Sequence, residues 1–159
     1  MRVDKPTQAR LAALAKGKSY SSELDAQLAN AAFSAQRAVV QMRYKRDVPF
    51  NRWVGVLRDN LEDAREAGLI TAAVEKRIGQ EMPKRLAALK DRGYEENDRL
   101  IYSVTANAVQ TAVVSKSGQV LVNLVEKDQG ARRAVMACYF APESDYREPL
   151  LRSLWGAKR

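Results

Sequence analysis

The chain has 159 residues and 46% apolar side chains. That is enough for one domain with its own core and too apolar for a disordered segment. Its 27 basic and 19 acidic residues leave a formal charge of +8, which predicts a polyanionic partner such as nucleic acid. It has no histidine and one cysteine, Cys138, which excludes an internal disulfide, Ser-His-Asp and Cys-His catalysis, and most zinc sites.

Asp4 and Pro6 open a first helix, with proline at an early position where its missing N–H costs nothing. Leu11 and Leu14 give it a thin apolar face, and Gly17 closes it. Gly17-Lys18-Ser19 has the end of a phosphate-loop motif without its beginning: position 12 is Ala12, and no apolar strand precedes it. Ser22 with Asp25 resembles a capping box. Leu24, Leu28, Ala31, Ala35, Val39 and Met42 recur at steps of four and three, which predicts a single helix running to about Arg46. Val48-Pro49 stops it. Phe50, Trp53, Val54, Leu57, Leu61 and Ala64 outline the next helix, with Gly68 placed to cap it. Thr71 opens another with Val74, Ile78 and Met82 inward, and Pro83 interrupts or restarts it. Leu86 and Leu89 continue it to Gly93.

Beyond the polar link 93–98 the period becomes alternating. Leu100, Tyr102, Val104 and Ala106 share one face of a first strand, and a second spans about 108–114. Ser115-Lys116-Ser117-Gly118 reads as a hairpin turn, Gln119 to Glu126 as a third strand and Lys127 to Gly130 as a second turn. The apolar run from Arg132 to Ala141 reads as a fourth strand, with Cys138 a small buried hydrophobe in it. Leu150, Leu151, Leu154 and Trp155 form a short closing helix. The expected fold is therefore α+β. An N-terminal helical bundle (1–98) packs on a C-terminal antiparallel meander of three to four strands with the closing helix (99–159), as one compact unit.

The excess charge is local. Between residues 34 and 58 six basic side chains (Arg37, Arg43, Lys45, Arg46, Arg52 and Arg58) face one acid, Asp47, whereas residues 59–99 carry more acids than bases. These six are the candidate nucleic-acid-binding residues, because arginine forks grip phosphates and the nearby Tyr44, Phe50 and Trp53 are of a type that can stack on bases. Phe50 and Trp53 also fit a core role. The expected function is a non-enzymatic basic protein on nucleic acid or another polyanion. It acts free in the cytoplasm or inside an assembly such as a phage or virus particle, with self-association or an assembly partner. A purely structural assembly protein is an alternative.

A second basic set lies on the expected meander: Arg99, Lys116, Arg132 and Arg133, with Tyr102 and Tyr139. Helices followed by a four-stranded meander resembles the layout of small ribonuclease toxins of the RelE and colicin E5 kind. The resemblance implies a histidine-free ribonuclease in which these six residues position RNA and stabilise charge at the scissile phosphate. Against it, Arg132 and Arg133 are adjacent and would point to opposite faces of a strand, and a Tyr or Lys base would need a depressed pKa. Catalysis is not the expectation. No cofactor or metal is expected either: the clusters Glu62-Asp63-Glu66 and Glu95-Glu96-Asp98 lack calcium-loop spacing. No membrane partner is expected: no run approaches a span, and a helix over 34–46 would have an Ala-rich face too weak to insert.

Overall fold

A computed structural model describes residues 1–155. It is α+β, with six helices and a five-stranded antiparallel sheet. The strands are β1 (Arg2–Val3), β2 (Ala38–Arg43), β3 (Arg99–Val104), β4 (Val109–Val114) and β5 (Val120–Glu126), paired in sequence order. The helices are α1 (Lys5–Ala15), α2 (Ser22–Phe33), α3 (Phe50–Glu66), α4 (Ala72–Arg85), α5 (Gln129–Phe140) and α6 (Arg147–Trp155). A 3-10 turn at Ala87–Leu89 follows α4.

Local chemistry sets most boundaries where the sequence places them. Asp4 caps α1 by accepting from the Thr7 N–H, and Thr71 caps α4 by accepting from Val74. Gly68 leaves α3 with a positive φ of 69°. For α2 the cap is Ser21, not Ser22: its hydroxyl accepts from Leu24 N at 3.2 Å. Pro83 lies inside α4 rather than breaking it.

Two segments differ from the sequence reading. Residues 38–43 are strand, not the continuation of a helix to Arg46. The helix ends where the Ser34 hydroxyl and N–H both turn back to the Asn30 carbonyl. The next residues, Ala38-Val39-Val40, are two β-branched side chains and an alanine that alternate buried, exposed, buried. As a strand they pair on both sides, Val39 with Arg2 and Ser103 and Val40 with Tyr102. The second difference is 132–141, a helix and not a fourth strand. Asp128 caps it, accepting from Gly130 and Ala131 N–H groups at 3.2 and 2.8 Å. Residues 134–140 are buried without interruption, which a short run permits in either form. Here α5 is the central helix, in contact with α2, α3, α4 and α6 and therefore apolar all round. Cys138 lies buried in it. The meander after residue 98 thus has three strands, and β1 and β2 come from the N-terminal half.

The sheet has an inner and an outer face. Val40, Leu100, Tyr102, Val104, Val109, Val113 and Val122 are buried on the inner face. The outer face is open: Val39, Val120 and Val125 are 39%, 57% and 59% exposed, and Gln41, Arg43, Gln110 and Asn123 are exposed beside them. Among the described residues no helix is long and apolar enough to cross a membrane.

Candidate ligand cavity and its basic mouth

Between the inner face of the sheet and helices α3 and α5 lies a cavity of about 220 Å³. Strand alternation aims Met42 and Tyr44 into it from the β2 side and Leu100 and Tyr102 from β3. One face of α3 supplies Arg52, Trp53, Val56, Leu57, Asn60 and Leu61. Ala134, Val135, Cys138 and Tyr139 of α5 close the far wall, and Arg46, Val48, Ile78, Met82 and Tyr146 complete the lining. Trp53, Leu61, Leu100, Tyr102, Cys138 and Tyr139 are buried, so the floor is apolar and aromatic. The exposed lining residues are Arg46, Arg52 and Val56, which therefore form the mouth.

The mouth loop 44–49 is laced to loop 93–98. Val48 and Tyr94 exchange both N–H···O bonds at 2.8 and 3.0 Å, and Tyr44 donates its N–H to the Asp98 carbonyl at 3.0 Å and accepts from Asn97 N at 2.8 Å. Gly93 makes this approach possible. Its φ is 67°, and a Cβ there would stand 2.5 Å from the Val48 carbonyl oxygen. Asp98 anchors the far side of the loop pair with a side chain closed to solvent. Its carboxylate accepts from Arg92 at 2.7 Å, Glu95 N at 2.9 Å and Lys116 N at 3.1 Å. Burial works to raise the Asp98 pKa, but these donors outweigh it and hold the carboxyl below its ordinary value.

The aromatic residues beside the mouth engage one another. Tyr44 stacks on Tyr94 with centroids 4.4 Å apart, and Trp53 lies 5.6 Å from Tyr94 and 5.8 Å from Phe50. Deeper in, Tyr139 sits 5.9 Å from Tyr102 and 5.6 Å from Tyr146. Burial pushes the phenol pKa values of Tyr44, Tyr94, Tyr102, Tyr139 and Tyr146 upward. Burial likewise pushes the Cys138 thiol up to about 12. At neutral pH the cavity wall is therefore uncharged and offers phenols and a thiol, while the mouth offers two guanidinium groups.

The six candidate nucleic-acid residues are distributed over this framework. Arg46 and Arg52 both line the mouth. Arg43 lies between Met42 and Tyr44, which face the cavity, so it projects from the outer face, where its register partner is Arg99. Lys45 is exposed in the loop, and Arg58 is exposed on α3. Arg37 stands before the opposite end of β2, where its backbone N–H donates to Asp4 and its carbonyl accepts from Asp4 N. Among the described residues none of the six side chains has an ion pair or hydrogen bond.

The second set is dispersed. Arg99 opens β3, whereas Arg132 donates to the carbonyls of Thr105 at 3.1 Å and Ala35 at 2.6 Å. Thr105 follows the last residue of β3, on the order of 20 Å along the strand from Arg99. On α5 the adjacent Arg132 and Arg133 diverge by helical rotation, not by strand alternation, and Arg133 donates to the Leu69 carbonyl over the Phe33 ring. Lys116 lies in the hairpin turn, 3.8 Å from Glu95. Only Tyr102 and Tyr139 come together, and their pKa shifts are opposite in sign to what a tyrosine base requires. Tyr44, Asn60 and Tyr146 line the cavity without a sequence signal beyond the Met42/Tyr44 alternation, which a strand reading of 38–43 exposes.

No family model matches the chain, and no curated protein matches it.

Proposed function

We propose that the protein binds a small amphipathic anion, with the apolar part in the cavity and the acidic head between Arg46 and Arg52. The observation that carries this reading is the pairing of an apolar, aromatic cavity with a mouth bearing two arginines that have no acidic partner among the described residues. Arginine forks match carboxylate and phosphate geometry, and an apolar lining with few polar groups is what a small-molecule site requires. Size bounds the ligand. An apolar cavity of about 150 Å³ holds a benzene ring, so about 220 Å³ takes a substituted ring or an alkyl chain of similar volume. The neutral phenols donate hydrogen bonds to any oxygen the ligand carries inside.

Calorimetric titration with octanoate, a substituted benzoate and their uncharged alcohols tests the reading. Both acids bind and the alcohols bind more weakly; Arg46→Ala with Arg52→Ala lowers acid affinity at least tenfold, as expected for charge-assisted hydrogen bonds. Equal binding of acid and alcohol, or an unaffected double variant, would sink it.

Nucleic-acid or other polyanion binding is the second reading, supported by the absence of ion pairs across Arg37, Arg43, Lys45, Arg46, Arg52 and Arg58. It has less support: Trp53 is buried, and Tyr44, Trp53 and Phe50 are engaged with Tyr94 and with one another rather than free for bases.

A further inference from the structure

The cavity mouth and the open face of the sheet meet at one end of the molecule. β2 ends at Arg43 and runs into the loop that carries Lys45 and Arg46; β3 begins at Arg99, directly across from Arg43. Like charges facing each other across a ladder weaken the pairing, and neither arginine has an acid within ion-pair distance among the described residues. No outward-facing strand position is acidic, since Glu126 of β5 points inward to Arg85. Of the four acids on the mouth loops, Asp47 accepts from the Glu96 backbone N–H at 2.7 Å, Asp98 is held by Arg92 at 2.7 Å, and the Glu96 side chain is exposed. Glu95 is engaged by Arg92 and Lys116. Arg46 and Arg52 thus stand at the cavity opening with the exposed Val56, and Arg43 and Arg99 add positive charge at the same end of the sheet from its outer face, with Lys45 exposed in the loop that follows β2. Folding gains nothing from placing Arg43 against Arg99, whereas contact with a layer of anions does.

We propose that this end of the molecule docks on the surface of an anionic bilayer, so that the cavity exchanges its amphipathic ligand with the lipid phase. The inference rests on the cavity reading above. A bilayer fits better than a nucleic acid because an apolar cavity whose mouth carries Val56 and two arginines, with further cations at the same end of the sheet, matches an interface that has both anionic headgroups and an apolar interior. The expectation against a membrane-surface contact took 34–46 as a helix, whereas residues 38–43 of that segment are β2.

The test is co-sedimentation of the full chain with vesicles of phosphatidylcholine alone and with phosphatidylglycerol added, at rising salt. Wild type binds the anionic vesicles and not the neutral ones, and binding falls as salt screens the contact. Each basic residue near an anionic surface contributes about fivefold in partition, so Arg43→Ala with Arg99→Ala weakens binding roughly 25-fold. Neither residue lines the cavity, so the variant binds octanoate in the absence of vesicles as wild type does, which also certifies its fold. Equal binding to both vesicle types, or wild-type partition of the double variant, overturns the proposal. Single-stranded RNA that binds more tightly than the vesicles and is released by the same two substitutions overturns it in favour of nucleic acid. Vesicle binding by a wild-type protein that takes up no octanoate overturns the cavity reading and the exchange with it.

Discussion

Between Arg65 and Arg92 every arginine has acids for company. Arg65 reaches Glu75 at 2.7 Å and Glu62 and Glu66 at 3.4 and 3.3 Å; Arg77 joins Glu81 and Asp128; Arg85 meets Glu126 at 3.0 Å; and Arg92 holds Asp98 at 2.7 Å. Between Arg37 and Arg58 no basic side chain has any such partner among the described residues. The first group ties α4 to α3, β5 and the N-terminus of α5, and closes the loop before β3. Its charges serve the fold. Among the described residues the second group can be discharged without breaking an ion pair or a side-chain hydrogen bond, so its charges do not tie one element to another. The contrast separates a structural use of arginine from an available one, which net charge alone conceals.

The sharpest way to break that contrast is at Asp98, where the structural use is most buried. Replacing it with Ala leaves Arg92 without its closest partner and strips two backbone N–H groups of their acceptor. Loss of about 3–5 kcal/mol is expected in urea unfolding, the range for breaking a buried pair. Its pH dependence has a definite sign. The folded pKa is lowered, so the stabilisation is complete above the ordinary carboxylate range and is lost as pH falls through the folded value. A variant whose deficit grows with falling pH would contradict the assignment. Gly93→Ala comes next. A positive φ and a Cβ pressed on the Val48 carbonyl cost about 1–3 kcal/mol, and the strain falls on the mouth loop, so octanoate affinity drops with stability. Unchanged ligand affinity in a destabilised variant would detach the loop pair from the site. The smallest effect sharpens the comparison directly. Arg65→Ala is expected to cost below about 1 kcal/mol, since the residue is partly exposed and screened, and to cost less in high salt. Arg58→Ala should shift stability by less than about 0.5 kcal/mol, with no salt dependence from a lost ion pair. Equal, salt-sensitive losses in both would erase the distinction.

What the sequence disclosed follows from where one period dominates. In α3, Trp53, Leu61 and Ala64 fall on the inward stripe and are buried as the spacing requires. In β3 strict alternation gives the strand and its inward face, and Leu100, Tyr102 and Val104 are buried on it. The reading fails where a pattern serves two periods. Ala35, Val39 and Met42 satisfy a helical spacing, yet Val39 ends up on the open face and Met42 in the cavity because tertiary pairing to β3 overrides the local period. The run 134–140 carries no period at all, so its length and its Asp128 cap decide, and a helix is the outcome. The basic segment was visible in composition. That two of its members close over a cavity was not, because the cavity depends on β2 being a strand and α5 a helix, the two elements misread.

The buried phenols also set the molecule's behaviour in base. All six tyrosines have pKa values raised by burial, Tyr20 to about 12. A raised phenol keeps its proton in the folded chain after the unfolded chain has released it, so each contributes fully below about pH 10 and progressively less above it. Alkali therefore acts on the unfolded state first. For the five rings in and beside the cavity, phenolate absorbance and unfolding should appear together, as the aromatic layer comes apart; Tyr20, which lies against Asp25 away from the cavity, stands outside that layer.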